Sequence, residues 1–460
     1  MKKLLQKIDK IFHVSERGST IGRELVAGVI VFLAMVYILP VNAGILGSIP
    51  DSNMTAIFIG TALCSAIASL VMGFVGNAPL VLCTSMSMNS YIAYTVCSAS
   101  KLAFTWTEAL TLTFTSGAIF FIITMTPLRQ LIVNAIPNSL KGAITASLGA
   151  FIVMVGLKGC GVISAENGFP TLDTFTNPTV LLGLGAILLA FLLSQSKGMI
   201  GKLALPTTMG LTVVAGLMLG SVGVEGMPQF DSNYYNIAEN FSAFFDNFGR
   251  CFNFAGALAN VSAVAVVFSM VFVSLFDATS TLIAVGKDCG VLDANGQLLD
   301  GKKVMLADAT GALLCGLFGT STVAPLAESS VGIAAGARTG ITSIVAGLLF
   351  ALSSLFYPIF TVFAPINGLT PVTSFALVSV GVSMCKNLKN INWKDPIVVI
   401  TSFVIIIMSI LTYSISDGLG IGLIAYSLLM LVTGKGKKVS PVIYAIAGFF
   451  LIIFVLRAII

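Results

Sequence analysis

Charged residues are scarce in this sequence. Of 460 residues, 24 are lysine or arginine and 19 are aspartate or glutamate, together 9% of the chain. Soluble globular proteins carry about 25% charged residues. The net charge of +5 comes from short basic loops between apolar runs, which is the distribution of a membrane protein and excludes a nucleic-acid-binding surface.

Histidine and paired cysteines are also lacking. The one histidine is His13, near the N-terminus, so a histidine proton relay within the membrane is excluded. The eight cysteines form no CxxC pair and lie mostly in apolar runs, where cysteine packs as a small hydrophobe. We find no metal-binding, nucleotide-binding or covalent-catalysis motif, so we expect no cofactor, no metal and no enzymatic activity.

Hydrophobic residues, by contrast, make up 57% of the chain. They form runs of about 17–25 residues, the length that crosses a hydrocarbon core as a helix. The sequence therefore predicts an all-α polytopic membrane protein. We place its apolar segments at 24–47, 54–76, 80–98, 103–125, 139–158, 179–195 and 204–222, then at 258–287, 302–318, 321–338, 340–361, 370–386, 395–413, 417–432 and 439–457. The final run is either an additional span or a hairpin partner of the one before it.

The two series match in order, which predicts a 7+7 internal repeat. Segment 24–47 corresponds to 258–287, and 139–158 corresponds to 370–386. Because seven is odd, the halves must insert with opposite orientation, and such inverted repeats are typical of secondary transporters.

The loop charges predict the orientation of the chain. With residues 1–23 as a cytoplasmic segment, most loops rich in lysine and arginine face the cytoplasm of a cell-membrane protein, among them the loop containing Arg129. The long outer stretch 223–257 is acidic, whereas Lys101 and Lys158 are exceptions to the rule.

The third segment of each half is interrupted. NAPLVLCTSMSMNSYIAYTV (77–96) and GTSTVAPLAESSVGIAAGARTG (319–340) each begin apolar, turn small and polar at mid-depth, and end as a helix. Such backbone survives in a membrane only where it lines a cavity or is buried in protein. Two half-helices at matching positions of an inverted repeat indicate a substrate site.

Two carboxylates lie at the same depth as these interruptions. Asp277 is ten residues before Lys287 and Glu328 is ten before Arg338, so each acid lies roughly 15 Å from its cytoplasmic anchor, near the midplane of a ~30 Å core. Asn89 reaches a similar depth. An ionisable group there costs roughly 2.5 to 3.5 kcal/mol to insert, so we predict that Asp277 and Glu328 are functional.

Structural roles compete with functional ones for the other polar residues. Asn89 could tie two helices together, and Ser274 and Ser280 could be small packing residues beside Asp277. Asp308 lies near a cytoplasmic end and could pair with Lys303 or with a half-helix N-terminus.

A buried carboxylate in this setting can accept hydrogen bonds from the ring N–H groups of a planar heterocycle. It can also take up a proton, because removal from water disfavours the charged form. One group with both properties would couple substrate to H⁺, and Na⁺ coupling is not excluded, since unwound carbonyl and hydroxyl oxygens can hold that ion.

Several long stretches resemble AzgA-type purine permeases, which belong to the nucleobase–cation symporter family of xanthine/uracil permeases. They are RELVAGVIVFLAMVYILPVNAGIL (23–46), FVSLFDATSTLIAVGKDCGVLDANGQL (272–298), LADATGALLCGLFGTSTVAPLAESSVGIAAGARTG (306–340) and NWKDPIVVITSFVIIIMSILTYSISDGLGIG (392–422). The resemblance runs from about residue 11 to the C-terminus.

The resemblance implies a 14-span, UraA-like fold with a core domain and a gate domain. The core would contain 24–125 and 258–361, and the gate 139–222 and 370–460. It further implies a homodimer in a lipid bilayer that moves core against gate like an elevator, and proton-coupled uptake of hypoxanthine, guanine or adenine.

The resemblance also implies site residues. The family's substrate and coupling positions fall on Glu328, Asn89, Asp277 and, in segment 9, Asp308. The family's first segment-8 acid is Ser274 here, and its segment-3 loop is replaced by CTSMSMNS (83–90). We therefore include Ser274 in the substrate site, together with the small and polar residues around these positions, Ser85, Ser87, Ala327 and Ser329.

The altered loop leaves two alternatives open. One is a transporter of the same fold for another planar or anionic solute, such as urate, xanthine or a small carboxylate. The other is an uncoupled facilitator.

Overall fold

The computed structural model describes residues 2–99, 101–164, 171–172, 175–228, 236–260, 262–289, 301–363, 366, 369–412 and 414–459. Within these residues the chain is mostly helical, and its strands form two short antiparallel pairs. The side chains of Ser280 and Lys287, which the sequence analysis used, lie outside the described part.

In the first half, the strands are β1 (Leu82–Thr84), β2 (Ile163–Ser164) and β3 (Thr171–Leu172). π-Helical turns extend α4 over Met72–Gly76 and α5 over Ile92–Val96. The helices of this half are α1 (Lys2–Phe12), α2 (Ile21–Met35), α3 (Ile38–Leu46), α4 (Met54–Val71), α5 (Met86–Tyr91), α6 (Trp106–Met125), α7 (Leu128–Ala135), α8 (Asn138–Gly159), α9 (Pro178–Ser194), α10 (Met199–Lys202) and α11 (Ala204–Ser221).

The second half contains one named strand, β4 (Val323–Pro325), among its described residues. Its helices are α12 (Ile237–Asn247), α13 (Phe254–Leu258), α14 (Ser262–Cys289), α15 (Gly301–Leu317), α16 (Ser329–Ala334), α17 (Gly340–Ser353), α18 (Tyr357–Phe360), α19 (Pro371–Cys385), α20 (Pro396–Leu411), α21 (Ile415–Val432) and α22 (Pro441–Ile459). Short 3₁₀ turns cover Arg250–Phe252, Ser354–Phe356, Thr361–Phe363, Lys386–Asn390 and Gly436–Lys438.

Local sequence signals explain where many of these helices start. Asn177 and Asp395 each accept a backbone N–H two residues on, and each precedes a proline in the first helical turn of α9 or α20. Thr105 and Glu108 form a capping box at α6. These side chains satisfy N–H groups that a helix start leaves unpaired, which fixes the helix boundaries at the membrane surface.

Among the described residues, six helical stretches are long and apolar enough to span a membrane. They are Ile21–Leu46, Met54–Gly76, Trp106–Met125, Asn138–Gly159, Ala204–Ser221 and Ile415–Val432. Shorter apolar helices cover Pro178–Ser194, Ser262–Ala278, Gly340–Phe356, Pro396–Leu411 and Pro441–Val455. The protein is thus a multi-pass helical membrane protein, as its composition predicts, and the final apolar run forms a separate helix, α22, that packs against α21.

The helix contacts have the two-fold pattern that the predicted repeat requires. In the repeat, α15 is the counterpart of α4 and α17 is the counterpart of α6; α4 packs on α17, and α15 packs on α6. In the same way, α20 is the counterpart of α9 and α19 is the counterpart of α8; α9 packs on α19, and α20 packs on α8. Counterparts α8 and α19 cross each other where Gly149 and Gly381 meet. A Cβ on either glycine would lie 2.5 Å from the other's carbonyl oxygen, so only glycine permits this approach.

The two interrupted segments cross as extended strands. β1 pairs antiparallel with β4 through Leu82 opposite Pro325, Cys83 opposite Ala324 and Thr84 opposite Val323. This pairing satisfies backbone groups that lipid could not satisfy. α5 begins two residues after β1 and α16 begins four residues after β4, so both half-helices start beside the crossing.

Serine side chains complete the hydrogen bonding of the crossing. The Ser69 hydroxyl bonds both the N–H and the carbonyl of Leu82, each at 3.1 Å. The Ser343 hydroxyl donates to the carbonyl oxygens of Ala78 at 2.7 Å and Leu80 at 2.9 Å. The broken segments are therefore held by α4 and α17, which makes them a rigid support for the residues that follow.

Candidate functional site

A cavity of 420 Å³ lies beside the two half-helices, bounded by α8, α14 and α19. Its polar lining residues are Tyr37, Ser85, Ser87, Thr145, Asp277, Thr281, Glu328, Ser330, Ser379, Ser383 and Asn387. Its apolar lining residues are Ile38, Met86, Ile152, Leu205, Leu326, Ala327, Val380 and Met384. Apolar side chains combined with convergent polar groups are typical of a small-molecule site.

Glu328 enters the cavity from the residue just before α16. Its Oε1 accepts a hydrogen bond of 2.9 Å from the hydroxyl of Tyr37, which lies at the break between α2 and α3 and is 1% exposed. A carboxylate at the start of a helix also interacts favourably with the free N–H groups there. The Tyr37 hydrogen bond orients Glu328 at the cavity wall.

Asp277 enters the same cavity from α14. Its Oδ2 accepts a hydrogen bond of 2.5 Å from the Ser85 hydroxyl, and the Ser85 and Ser87 hydroxyls are 2.8 Å apart. Ser85 occupies the N-cap position of α5, but its hydroxyl bonds Asp277 instead of capping the helix. The structure therefore brings four of the predicted residues, Glu328, Asp277, Ser85 and Ser87, to one cavity, with Ala327 also in its wall.

Three other predicted residues lie outside the cavity lining. Asn89 is fully buried, and its Oδ1 accepts a hydrogen bond from Ser321, which ties α5 to the strand crossing. The Ser329 hydroxyl accepts the N–H of Val81 at 3.0 Å. Ser274 is 7% exposed, one turn before Asp277. In this conformation their contacts fit the packing roles that the sequence analysis weighed for Asn89 and Ser274.

Asp308 also lies away from the cavity. It is 1% exposed and forms an ion pair of 2.9 Å with Arg129, which is 2% exposed, whereas the sequence suggested Lys303 or a half-helix as its partner. The Arg129 guanidinium stacks 4.8 Å from the Phe120 ring centroid. Arg129 was predicted as a basic loop residue, but it is buried because α7 packs against α6 and α14 and its side chain reaches Met305 and Asp308 of α15.

A further buried acid, Glu24, was missed. Its carboxylate accepts the N–H of Arg338 at 2.7 Å, the N–H of Thr339 at 3.3 Å and the hydroxyl of Thr342 at 2.7 Å. It therefore caps α17. Its position at the edge of the first apolar run resembles an ordinary interfacial charge, so the sequence gave no reason to single it out.

The polar wall contributed by α19 was also missed. Ser379 and Ser383 lie four residues apart on one face of α19, Asn387 follows in the 3₁₀ turn Lys386–Asn390, and all three line the cavity. The Oγ of Ser379 is buried without a hydrogen-bond partner among the described residues. Serine and asparagine at four-residue spacing in an apolar helix is the signal that would have identified this face.

The chain matches known proteins along nearly its whole length. A family model described as "Permease family" matches residues 22–414. The chain is 33% identical to the guanine/hypoxanthine permease PbuO of Bacillus subtilis, with 96% of this chain and 99% of that protein aligned. It is 31% identical to the adenine permease AdeP of Escherichia coli, with 97% and 95% aligned.

The fold matches a solved membrane structure. The transmembrane domain of a cyanobacterium bicarbonate transporter, BicA, aligns with a TM-score of 0.57 at 15% identity, over 86% of this chain and 97% of that one. At this identity the likeness concerns the fold alone.

Proposed function

Because this chain belongs to the Permease family, as its resemblance to xanthine/uracil permeases predicted, we propose that it imports a purine nucleobase by secondary active transport. The family and these relatives are permeases, so the chain is a transporter rather than an enzyme. The observation that carries the proposal is one 420 Å³ cavity lined by Glu328 and Asp277 beside two half-helices.

The cavity fits a purine base in size and chemistry. Small-molecule sites typically measure about 300–1,000 Å³. A purine ring presents N–H donors at its edge and apolar faces above and below. Glu328 and Asp277 supply acceptors, while Ile152, Leu205 and Met384 supply apolar contact. A ring between the two acids would therefore be oriented by hydrogen bonds and held by its faces.

The proposed mechanism is an elevator motion in a fourteen-span fold. The core domain would comprise residues 24–125 and 258–361, and the gate domain residues 139–222 and 370–460. On this division the two acids would belong to the core, and Thr145, Ser379 and Ser383, which line the same cavity, would belong to the gate. The cavity would then lie at the boundary along which such a motion occurs. We expect a homodimer in the cell membrane with a cytoplasmic N-terminus.

Proton symport is the coupling that the site chemistry favours. A carboxylate out of water binds a proton more readily, and a substrate that hydrogen-bonds the same group links the two events. Uptake of labelled hypoxanthine into proteoliposomes tests this. With an inward proton gradient we expect accumulation above the external concentration that a protonophore abolishes. Equilibration that ignores the gradient would identify a facilitator, and accumulation that follows a sodium gradient would identify Na⁺ coupling.

Another planar or anionic solute, such as urate, xanthine or a small carboxylate, is the second candidate. The Ser85–Ser87 pair and Ser330 and Ser379 place hydroxyl donors around the cavity, and donors suit an anionic ligand. Glu328 would then have to be protonated when the anion binds.

Replacing Tyr37 with phenylalanine should weaken transport without unfolding the protein. The change removes the hydrogen bond that positions Glu328. A hydrogen bond to a charged group contributes about 1.5–3 kcal/mol, so the apparent KM for the base should rise roughly 10-fold or more. Tyr94→Phe, the same change at a residue outside the cavity lining, is the control. Equal KM values for the two variants would remove Tyr37 from the site.

A further inference from the structure

The N-terminal helix α1 is strongly amphipathic. At 100° per residue, its apolar side chains fall on one arc of about a third of the helix circumference. The residues on this arc whose side chains the structure describes are Ile8, Ile11 and Phe12. Lys7 and Lys10 fall on the remaining surface.

Only part of the apolar arc is used for packing. Phe12 and Ile8 contact the first turn of α17, at Ile341 and Ile344. Ile11, at the other edge of the arc, is 66% exposed. α1 therefore keeps an uncovered apolar edge directly beside the exposed Lys7 and Lys10.

A second exposed apolar group lies beside Phe12, at the opposite edge of the arc from Ile11. The Phe74 ring lies 6.2 Å from the Phe12 ring and is 64% exposed, and Val75 beside it is 43% exposed. Both belong to the π-helical end of a membrane span, so they lie where the hydrocarbon core ends. The lipid bilayer is therefore the surface that borders this patch.

The one acid of α1 does not offset the lysines. Asp9 lies on the side of the helix away from Lys7, and its two carboxylate oxygens accept the N–H and the hydroxyl of Ser15, both at 2.8 Å. These hydrogen bonds lower the pKa of Asp9, and the one from the backbone N–H of Ser15 has the largest effect. The lysine face stays a basic surface.

The segment after α1 is tied to both interrupted segments. Arg17 donates to the carbonyl of Asn77 at 2.6 Å and to that of Arg338 at 3.3 Å. Ser19 donates to the carbonyl of Gly336 at 2.9 Å. Asn77 opens the stretch that leads to β1 and α5, and Gly336 follows α16, so α1 is fixed to the supports of the cavity.

We propose that α1 is an interfacial helix that binds anionic phospholipids. Lys7 and Lys10 pair with the headgroup phosphates, while Ile11 and Phe74 enter the acyl boundary. This is the arrangement by which basic amphipathic helices bind anionic membranes. The occupant is a phospholipid because the patch combines cationic and apolar groups at the end of a membrane span.

The test titrates the purified full-length protein with dioctanoyl phosphatidylglycerol and with dioctanoyl phosphatidylcholine, and follows the thermal unfolding midpoint. A surface lysine contributes roughly fivefold to binding of anionic lipid, so Lys7→Gln with Lys10→Gln should weaken the apparent phosphatidylglycerol affinity roughly 25-fold. Phosphatidylcholine should stabilise this double variant and the unsubstituted protein equally. Ile11→Ser should weaken the response to both lipids.

The control is Lys437→Gln with Lys438→Gln, which removes two exposed lysines from a 3₁₀ turn instead of an amphipathic helix. Its phosphatidylglycerol affinity should equal that of the unsubstituted protein. Equal affinities for the two double variants would overturn the proposal. Equal stabilisation by inorganic phosphate and by phosphatidylglycerol would also overturn it, because the site would then recognise an anion without a lipid. No readout depends on nucleobase transport.

Discussion

Replacing Glu328 with glutamine is expected to abolish accumulation of a purine base while the protein still folds. Glutamine has the same shape, and its carbonyl oxygen can keep the hydrogen bond that Tyr37 donates at 2.9 Å. It cannot carry a negative charge or take up a proton. A hydrogen bond to a charged group contributes about 1.5–3 kcal/mol, so base affinity should fall roughly 10- to 150-fold, and proton-driven accumulation should cease.

Initial uptake rates of labelled hypoxanthine in proteoliposomes measure this effect. Glu239→Gln is the matched control, because Glu239 is an exposed acid in α12, outside the cavity lining. It should transport as the unsubstituted protein does. Glu328→Asp should keep some coupled uptake, since it retains the ionisable group on a shorter side chain. Unchanged accumulation by Glu328→Gln would mean that the substrate and the proton bind elsewhere.

Replacing Arg129 with methionine should cost stability rather than substrate affinity. The change leaves Asp308 buried without its partner, and breaking a buried ion pair in this way costs about 3–5 kcal/mol. Removing the second charge as well, with Asp308→Asn, should recover most of that loss, since no uncompensated charge remains. The thermal unfolding midpoint of the detergent-purified protein is the measurement.

Arg250→Met is the control for Arg129→Met, because Arg250 is exposed and its loss should leave the midpoint unchanged. If the double variant is as unstable as Arg129→Met alone, the ion pair is not the source of the effect. The double variant also tests the ion-coupling role that the sequence predicts for Asp308. Proton-driven uptake that persists in the double variant would assign Asp308 a structural role only.

The features that the sequence predicted follow from the cost of placing groups in lipid. Long apolar runs must span the membrane, and a broken run must line a cavity or be buried. The free-energy cost of inserting Asp277 and Glu328 at mid-depth led us to predict that both are functional. The structure brings both to one cavity. The half-helices α5 and α16 lie where the small, polar stretches indicated.

The features that the sequence did not predict depend on which distant segments touch. Pairing of β1 with β4 joins residues from the two halves, and nothing local distinguishes such a strand from an unwound loop. Tyr37 meets Glu328 because α2 breaks at that point, and Arg129 meets Asp308 because α7 folds inward. The sequence predicted only a depth for Asn89, and depth does not determine the direction of a side chain.

A ligand screen by thermal shift tests the central claim most directly. Purified protein would be mixed separately with hypoxanthine, guanine, adenine, uracil, urate and small carboxylates, with Glu328→Gln measured in parallel. A ligand at about 100 times its Kd adds about 2.7 kcal/mol of stability, which shifts the midpoint measurably. The account predicts stabilisation by a purine base that the Glu328→Gln protein loses. A response to urate or a carboxylate alone, with none to any purine base, would contradict it.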